Sequence, residues 1–145
     1  MGILSDLFVA SLGDALRYEN EATSARELPS WVAARARFGG LTDLPYEVLW
    51  AALDGRTLAP DSHLLEELSM RKDGGSWLFR FPPSFVARLA EAEAVSLGRV
   101  AEQWVQSGEL HGATAAEVMP VLRELTQLAR MAQSQGKGLF LWGSL

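Results

Sequence analysis

Residues 114–136 constrain the fold more than any other segment, because they combine a helix start, a long apolar stripe and a helix stop. Thr114 and Glu117 have the spacing of a capping box, in which each side chain bonds the other residue's backbone N–H. Gly136 follows the last apolar position and predicts the end of the helix. A helix of this kind needs other elements to cover its apolar stripe. The predicted buried positions are Val118, Val121, Leu122, Leu125, Leu128 and Ala132.

Length and composition indicate one globular domain over residues 1–145. Of the residues, 48% are hydrophobic and 21% are charged, which is typical of a domain with a well-formed core. The 13 basic and 18 acidic side chains give a net charge of −5, and no basic run is present to bind nucleic acid. No apolar run approaches the roughly 18 residues that would predict a membrane span. Without a basic leader, and with Asp6 interrupting the first apolar run, the expected location is the cytoplasm.

Several further elements follow from local signals. Residues 8–10 predict a short strand, and Ser11 predicts the start of a helix that runs to about Tyr18, with Leu12, Ala15 and Leu16 buried. Thr42 and Gly55 bracket a second amphipathic helix. Residues 64–71 and 76–81 flank Lys72-Asp73-Gly74-Gly75, which is typical of a tight β-hairpin turn.

Two segments are ambiguous. Residues 31–38 alternate apolar and basic side chains as a half-exposed strand does, although three alanines and Gly39 also suit a short helix. We favour the strand. Residues 139–142 predict a terminal strand or a tucked tail. The expected fold is therefore α+β, a predominantly helical single domain with a small antiparallel sheet that includes the 64–81 hairpin.

Short segments from both ends and the middle of the chain resemble a family of small bacterial proteins of about this length that has no established function. The resemblance spans nearly the whole chain and implies a complete, single-domain bacterial protein, but it implies no catalytic residue. The segments are Leu4-Ser5-Asp6-Leu7-Phe8-Val9-Ala10, Gly40-Leu41-Thr42-Asp43-Leu44, Leu49-Trp50, Phe79-Arg80-Phe81-Pro82, Gln103-Trp104 and Gly136-Lys137-Gly138-Leu139-Phe140-Leu141-Trp142.

The sequence has few groups that carry catalytic or metal chemistry. The absence of cysteine excludes disulfides, thiol nucleophiles and thiolate metal sites. The two histidines, His63 and His111, lie in no metal-binding pattern, so no metal or other cofactor is expected. Asp61-Ser62-His63 places three reactive groups side by side, whereas catalytic triads join separated segments. A turn histidine and a loop histidine are the simpler interpretations, and a binding role for His63 or His111 is the alternative.

Tryptophan is the least ordinary feature of the composition, with five residues. Trp77 and Trp104 fall on apolar faces and are expected in the core. Trp31 and Trp50 lie off the main apolar stripes and are the candidates for exposed binding anchors, since tryptophan is enriched at binding hot spots. Arg80 is expected to pair with a buried carboxylate rather than with a ligand.

These features favour a non-enzymatic domain that binds another protein, as immunity, inhibitor and adaptor proteins do. The alternative is a small-ligand-binding protein or a small enzyme, with a pocket between the sheet and the C-terminal helices that Arg80, His63 or His111 would line. A third hypothesis is a homo-oligomer that associates through an exposed helix face beside Trp50.

Overall fold

The computed structural model describes residues 4–21, 27–39, 43–54, 65–70, 75–106, 110 and 112–144. Within them the strands are β1 (Leu4–Ala10), β2 (Ala34–Gly39), β3 (Glu66–Met70), β4 (Ser76–Arg80) and β5 (Gly138–Ser144). The helices are α1 (Leu12–Ala15), α2 (Tyr18–Glu21), α3 (Asp43–Leu53), α4 (Pro83–Glu91), α5 (Ala94–Val105) and α6 (Ala115–Gln135). The predicted α+β fold with an antiparallel sheet is confirmed.

The five strands form one antiparallel sheet in the order β2-β1-β5-β4-β3. The predicted hairpin is present as β3 and β4, with a register shift between Glu67 and Ser69. The last strand, β5, occupies the centre of the sheet, where Phe140 pairs with Phe8 of β1 and with Arg80 of β4. The predicted terminal strand is therefore the element that joins the two halves of the sheet.

The helix that the capping signals predict is α6. The Thr114 hydroxyl accepts from the Glu117 N–H at 3.3 Å, and the Glu117 carboxylate accepts from the Thr114 N–H at 3.2 Å. At the other end Gly136 adopts a left-handed conformation with φ of 63°, which glycine tolerates without steric cost. Each residue of the predicted apolar stripe is buried.

Successive side chains of a strand point to opposite sides of the sheet, and the central strands β1, β5 and β4 bury side chains on both faces. Leu7 of β1 and Leu141 of β5 belong to the large core that includes residues of helices α3–α6. In that core Trp104 is fully buried, and its indole Nε1 donates to the carbonyl of Pro45 at 2.7 Å. We call this side of the sheet the helix face.

A smaller core covers the opposite side, which we call the outer face. Phe8 stacks there on the ring of Tyr18 from α2, with centroids 3.8 Å apart and planes 7° from parallel. Phe140 and Trp142 of β5 belong to the same cluster, as does Leu78 of β4. The segment that carries α1 and α2 therefore forms a second layer, over the face that the larger helices leave uncovered.

This second layer differs from the helix predicted after Ser11. The Ser11 hydroxyl does accept from the Asp14 N–H, at 3.2 Å, but α1 ends at Ala15 and α2 begins only at Tyr18. Ala15 is buried as predicted. Leu12 and Leu16 are exposed instead: the helix ends before Leu16, so the apolar side predicted for a helix running to Tyr18 does not form.

Trp77 and Gly143 form a close contact on the helix face. They are paired across β4 and β5, and a β-carbon at Gly143 would overlap the Trp77 indole, at 2.5 Å from Cε2. Trp77, predicted as core, is half-buried against the larger core. Because Gly143 has no side chain, the Trp77 indole of β4 can pack directly against the backbone of the central strand β5.

We expect Gly143→Ala to lower the free energy of unfolding by about 1–3 kcal/mol, because the added methyl group displaces a packed indole. Gly98→Ala is the matched control, since Gly98 lies exposed within α5 with nothing near its missing β-carbon. It should stabilise the protein by about 0.4–1 kcal/mol. Urea denaturation measures both changes. Equal effects of the two substitutions would contradict the close-contact argument.

Candidate functional site

The structure places the two candidate tryptophan anchors on opposite sides of the sheet. Trp31 is half-buried against the outer-face cluster, and the Arg17 guanidinium lies over its ring at 4.4 Å from the centroid. Trp50 is half-buried against the larger core and stacks on Phe85 at 4.9 Å, with the planes 4° apart. The two tryptophans therefore belong to different surfaces and do not form one site.

Arg80, the last residue of β4, does not pair with a buried carboxylate as predicted. Its Nη1 lies 3.5 Å from Oε2 of Glu66 on β3, whose side chain is 48% exposed. The reason is register, because Glu66 is the cross-strand partner of Arg80 at the edge of the sheet. The other two candidates, His63 and His111, lie outside the described residues.

A charge network around the buried Asp6 carboxylate, on the outer face, was not found by sequence reasoning. Asp6 of β1 is 0% exposed, and its carboxylate accepts two bonds from Arg37 of β2, at 2.6 and 2.9 Å. The Tyr18 hydroxyl donates to the same carboxylate at 2.7 Å. The signal was present in the sequence, since Asp6 interrupts an apolar strand and Arg37 alternates with alanines. Only the strand pairing shows that the two residues face each other.

This network holds the second layer on the sheet. Tyr18 lies between the Asp6 carboxylate and the Arg35 guanidinium, whose Nη1 donates to the phenol at 3.5 Å. Burial raises the pKa of Tyr18 above its usual range, and the hydrogen bond to Asp6 acts in the same direction. The hydrogen bond to Asp6 likewise raises the pKa of Arg37. The phenol therefore stays protonated as a donor at every physiological pH.

The second layer presents apolar side chains to solvent. Leu12 is 47% exposed and Leu16 is 58% exposed, four positions apart in the chain. Arg17, which covers Trp31, also pairs with Glu21 at 2.6 Å. We call the surface of this layer the outer apolar surface, and its members are Leu12, Leu16, Arg17, Leu28 and Trp31.

Away from this surface, cavities lie among the described residues at two places that matter for binding. One, of about 280 Å³, lies between α3, α4 and α5 and is lined by both arginine and glutamate side chains, so it favours neither charge. The other, of about 130 Å³, lies where β4 leads into α4 and α6 leads into β5. Its lining includes Arg80 and Lys137, and we call it the Arg80–Lys137 pocket. It lies between β4 and β5 on one side and the ends of α4 and α6 on the other.

Among the described residues no cluster of three or more histidine, aspartate or glutamate side chains could hold a metal ion. No helix in that part of the chain has the length and apolar character needed to cross a bilayer. The chemically distinctive surfaces are the outer apolar surface and the Arg80–Lys137 pocket.

No protein-family model, curated protein or solved structure matches this chain. The resemblance to a bacterial family therefore stays a prediction. Functional inference rests on the geometry of the two surfaces.

We expect Arg37→Met to lower the free energy of unfolding by about 2–4 kcal/mol, because it leaves the buried Asp6 carboxylate without its counter-ion. Adding Asp6→Leu should restore much of that loss, since replacing both partners removes the uncompensated charge. Arg123→Met, on the exposed side of α6, is the control and should change stability by less than about 0.5 kcal/mol. Chemical denaturation distinguishes these cases, and a neutral Arg37→Met would contradict the network's role.

Both tyrosines predict a loss of stability at alkaline pH. Burial raises the pKa of Tyr18 and of Tyr46 above the usual range, so the unfolded chain loses these protons first, near pH 10. The contribution of each buried phenol to the free energy of unfolding is therefore fully present below about pH 10. Above that pH it falls by up to about 1.4 kcal/mol per pH unit for each phenol. Tyr46→Phe should remove the contribution of Tyr46 to the slope of unfolding free energy against pH. Urea denaturation at several alkaline pH values measures that slope. At neutral pH the same variant should be no less stable than the parent, because the buried Tyr46 hydroxyl has no hydrogen-bond partner among the described residues. If Tyr46→Phe left the alkaline pH dependence of stability unchanged, the raised pKa of Tyr46 would be contradicted.

Proposed function

We propose that this chain is a non-enzymatic protein-interaction domain of the bacterial cytoplasm, of the immunity, inhibitor or adaptor type, which binds its partner through the outer apolar surface. The observation that carries the proposal is the exposure of Leu12 and Leu16. Large apolar side chains that stay exposed on a folded domain are candidates for an interaction site when they lie close together, as Leu12 and Leu16 do along the chain. The bacterial setting rests on the resemblance described above.

The rigidity of the layer supports this proposal. Tyr18 is held by its stacking on Phe8 and by its hydrogen bond to Asp6. The Ser76 hydroxyl donates to the Glu19 carboxylate at 2.7 Å and ties α2 to β4. A surface held in this way loses little conformational entropy on association, which favours binding.

The composition of the surface also fits a protein partner. Trp31 with Arg17 over its ring combines the two residue types that are most enriched at hot spots. Exposed carboxylates, including Glu21 and Glu27, lie in the same layer, and the whole chain carries a net charge of −5. The partner is therefore expected to present apolar side chains within a basic rim.

The test is Leu12→Ser/Leu16→Ser, compared with Val95→Ser as the matched control. Val95 is 88% exposed on α5, away from the second layer, so it reports the effect of losing any exposed aliphatic side chain. We expect the double variant to remain folded and to lose at least about tenfold in affinity, while Val95→Ser binds as the parent does.

The measurement has two stages. A partner captured from a bacterial lysate is identified and purified, and its affinity for each variant is then determined by calorimetry. Equal binding by the double variant and the parent would contradict the proposed surface. Light scattering distinguishes self-association, since a homo-oligomer would exceed the 15.8 kDa chain mass in the absence of a partner.

A further inference from the structure

We propose a second binding site in this domain, in which the Arg80–Lys137 pocket takes a small aliphatic carboxylate. This inference is independent of the proposed function, because the pocket shares no residue with the outer apolar surface. It rests on the placement of charge, on the apolar wall and on the size of the cavity.

The pocket is built where two chain reversals meet at one end of the sheet. Beyond β4 the chain continues through Phe81, whose N–H donates to the Leu139 carbonyl at 2.9 Å, and then enters α4. Gly136 caps the C-terminus of α6, and β5 begins two residues later at Gly138. Both connections are short and hydrogen-bonded, so the lining residues are held by secondary structure on each side.

The charges of the lining are all positive. The two charged residues of the lining, Arg80 and Lys137, are both basic, Gln133 is neutral, and no aspartate or glutamate lines the pocket. Among the described residues the Lys137 ammonium has no ion-pair or hydrogen-bond partner. The basic residues of the lining favour an anionic ligand locally, although the chain as a whole carries a net charge of −5.

Arg80 is available to a ligand although it contacts Glu66. The separation of 3.5 Å is long for a charge-assisted hydrogen bond, and both side chains are partly exposed. Exposed pairs of this kind contribute little free energy. An anion in the pocket can therefore share or replace Glu66 as the partner of the guanidinium.

The apolar wall and the volume define the ligand. Phe81 and Val86 are both buried and line the pocket beside Pro83. These groups contact alkyl carbon favourably and offer no hydrogen bond to inorganic oxygens. A volume of about 130 Å³ holds roughly four water molecules, which suits a short carboxylic acid and is too small for a nucleotide.

The test compares three probes by calorimetry and by amide chemical shifts at low salt. Butyrate carries the carboxylate and the alkyl chain, butanol carries the chain without the charge, and phosphate carries charge without the chain. We expect saturable binding of butyrate and at least about tenfold weaker binding of the other two. Equal binding of butanol or of phosphate would overturn the proposal, as would no saturable binding of butyrate.

Substitutions locate the site. Arg80→Gln and Lys137→Gln should each weaken butyrate binding by about tenfold, since each removes a charge-assisted hydrogen bond. Arg123→Gln makes the same change in net charge on the exposed side of α6 and should leave affinity unchanged. Equal weakening by all three would show a non-specific charge effect and overturn the assignment. Leu12→Ser/Leu16→Ser should bind butyrate as the parent does, which separates this site from the outer apolar surface.

Discussion

The pairing of β5 with both β1 and β4 is the interaction on which the rest of the fold depends. β1 and β2 come from the first 39 residues, whereas β3 and β4 come from the middle of the chain. The sheet hydrogen bonds that join these two pairs pass through β5. Without it the sheet would divide into two-stranded units, which are marginally stable at best in water. The same strand contributes Leu141 to the larger core and Trp142 to the smaller one.

A sheet buried on both faces needs a cover on each side, and the two covers are held differently. Helices α3–α6 bury the helix face through a large continuous core, to which hydrogen bonds such as that from Trp104 to the Pro45 carbonyl and from the Leu65 N–H to the buried Glu47 carboxylate are added. The outer face is covered by a much smaller segment. There the stacking of Tyr18 on Phe8 is supplemented by the Asp6–Arg37 ion pair, so that a thin layer is fixed by charge as well as by apolar contact. That layer leaves leucine side chains to solvent, which is why we assign partner binding to it.

The parts of the fold that the sequence predicted are those specified by neighbouring residues. Helix α6 follows from the Thr114 capping box and Gly136, and the hairpin follows from its turn residues and from the alternation along β4. Strand order and the outer layer depend on pairs that are remote in sequence, such as Asp6 with Arg37, and one sequence offers no signal for which strands meet. The burial expected of Leu12 and Leu16 was wrong for the same reason, because periodicity identifies an apolar side without saying what covers it. The Arg80–Lys137 pocket likewise joins residues that are remote in sequence, and Lys137 lies beside Arg80 only because of the placement of β5.

The central position of β5 also bears on how the protein is made. Synthesis proceeds from the N-terminus at about 5–20 residues per second, so β1 to β4 exist before the strand that unites them. Until residue 144 is available, Phe8 and Phe79 lack their β5 neighbours, and both strands present open edges that can pair with other chains. The interval between translation of the hairpin and translation of β5 is therefore the period of greatest aggregation risk for the nascent chain. The long helix α6, whose two ends are specified by local signals, is synthesised within that interval and can pack on the helix face before β5 is available.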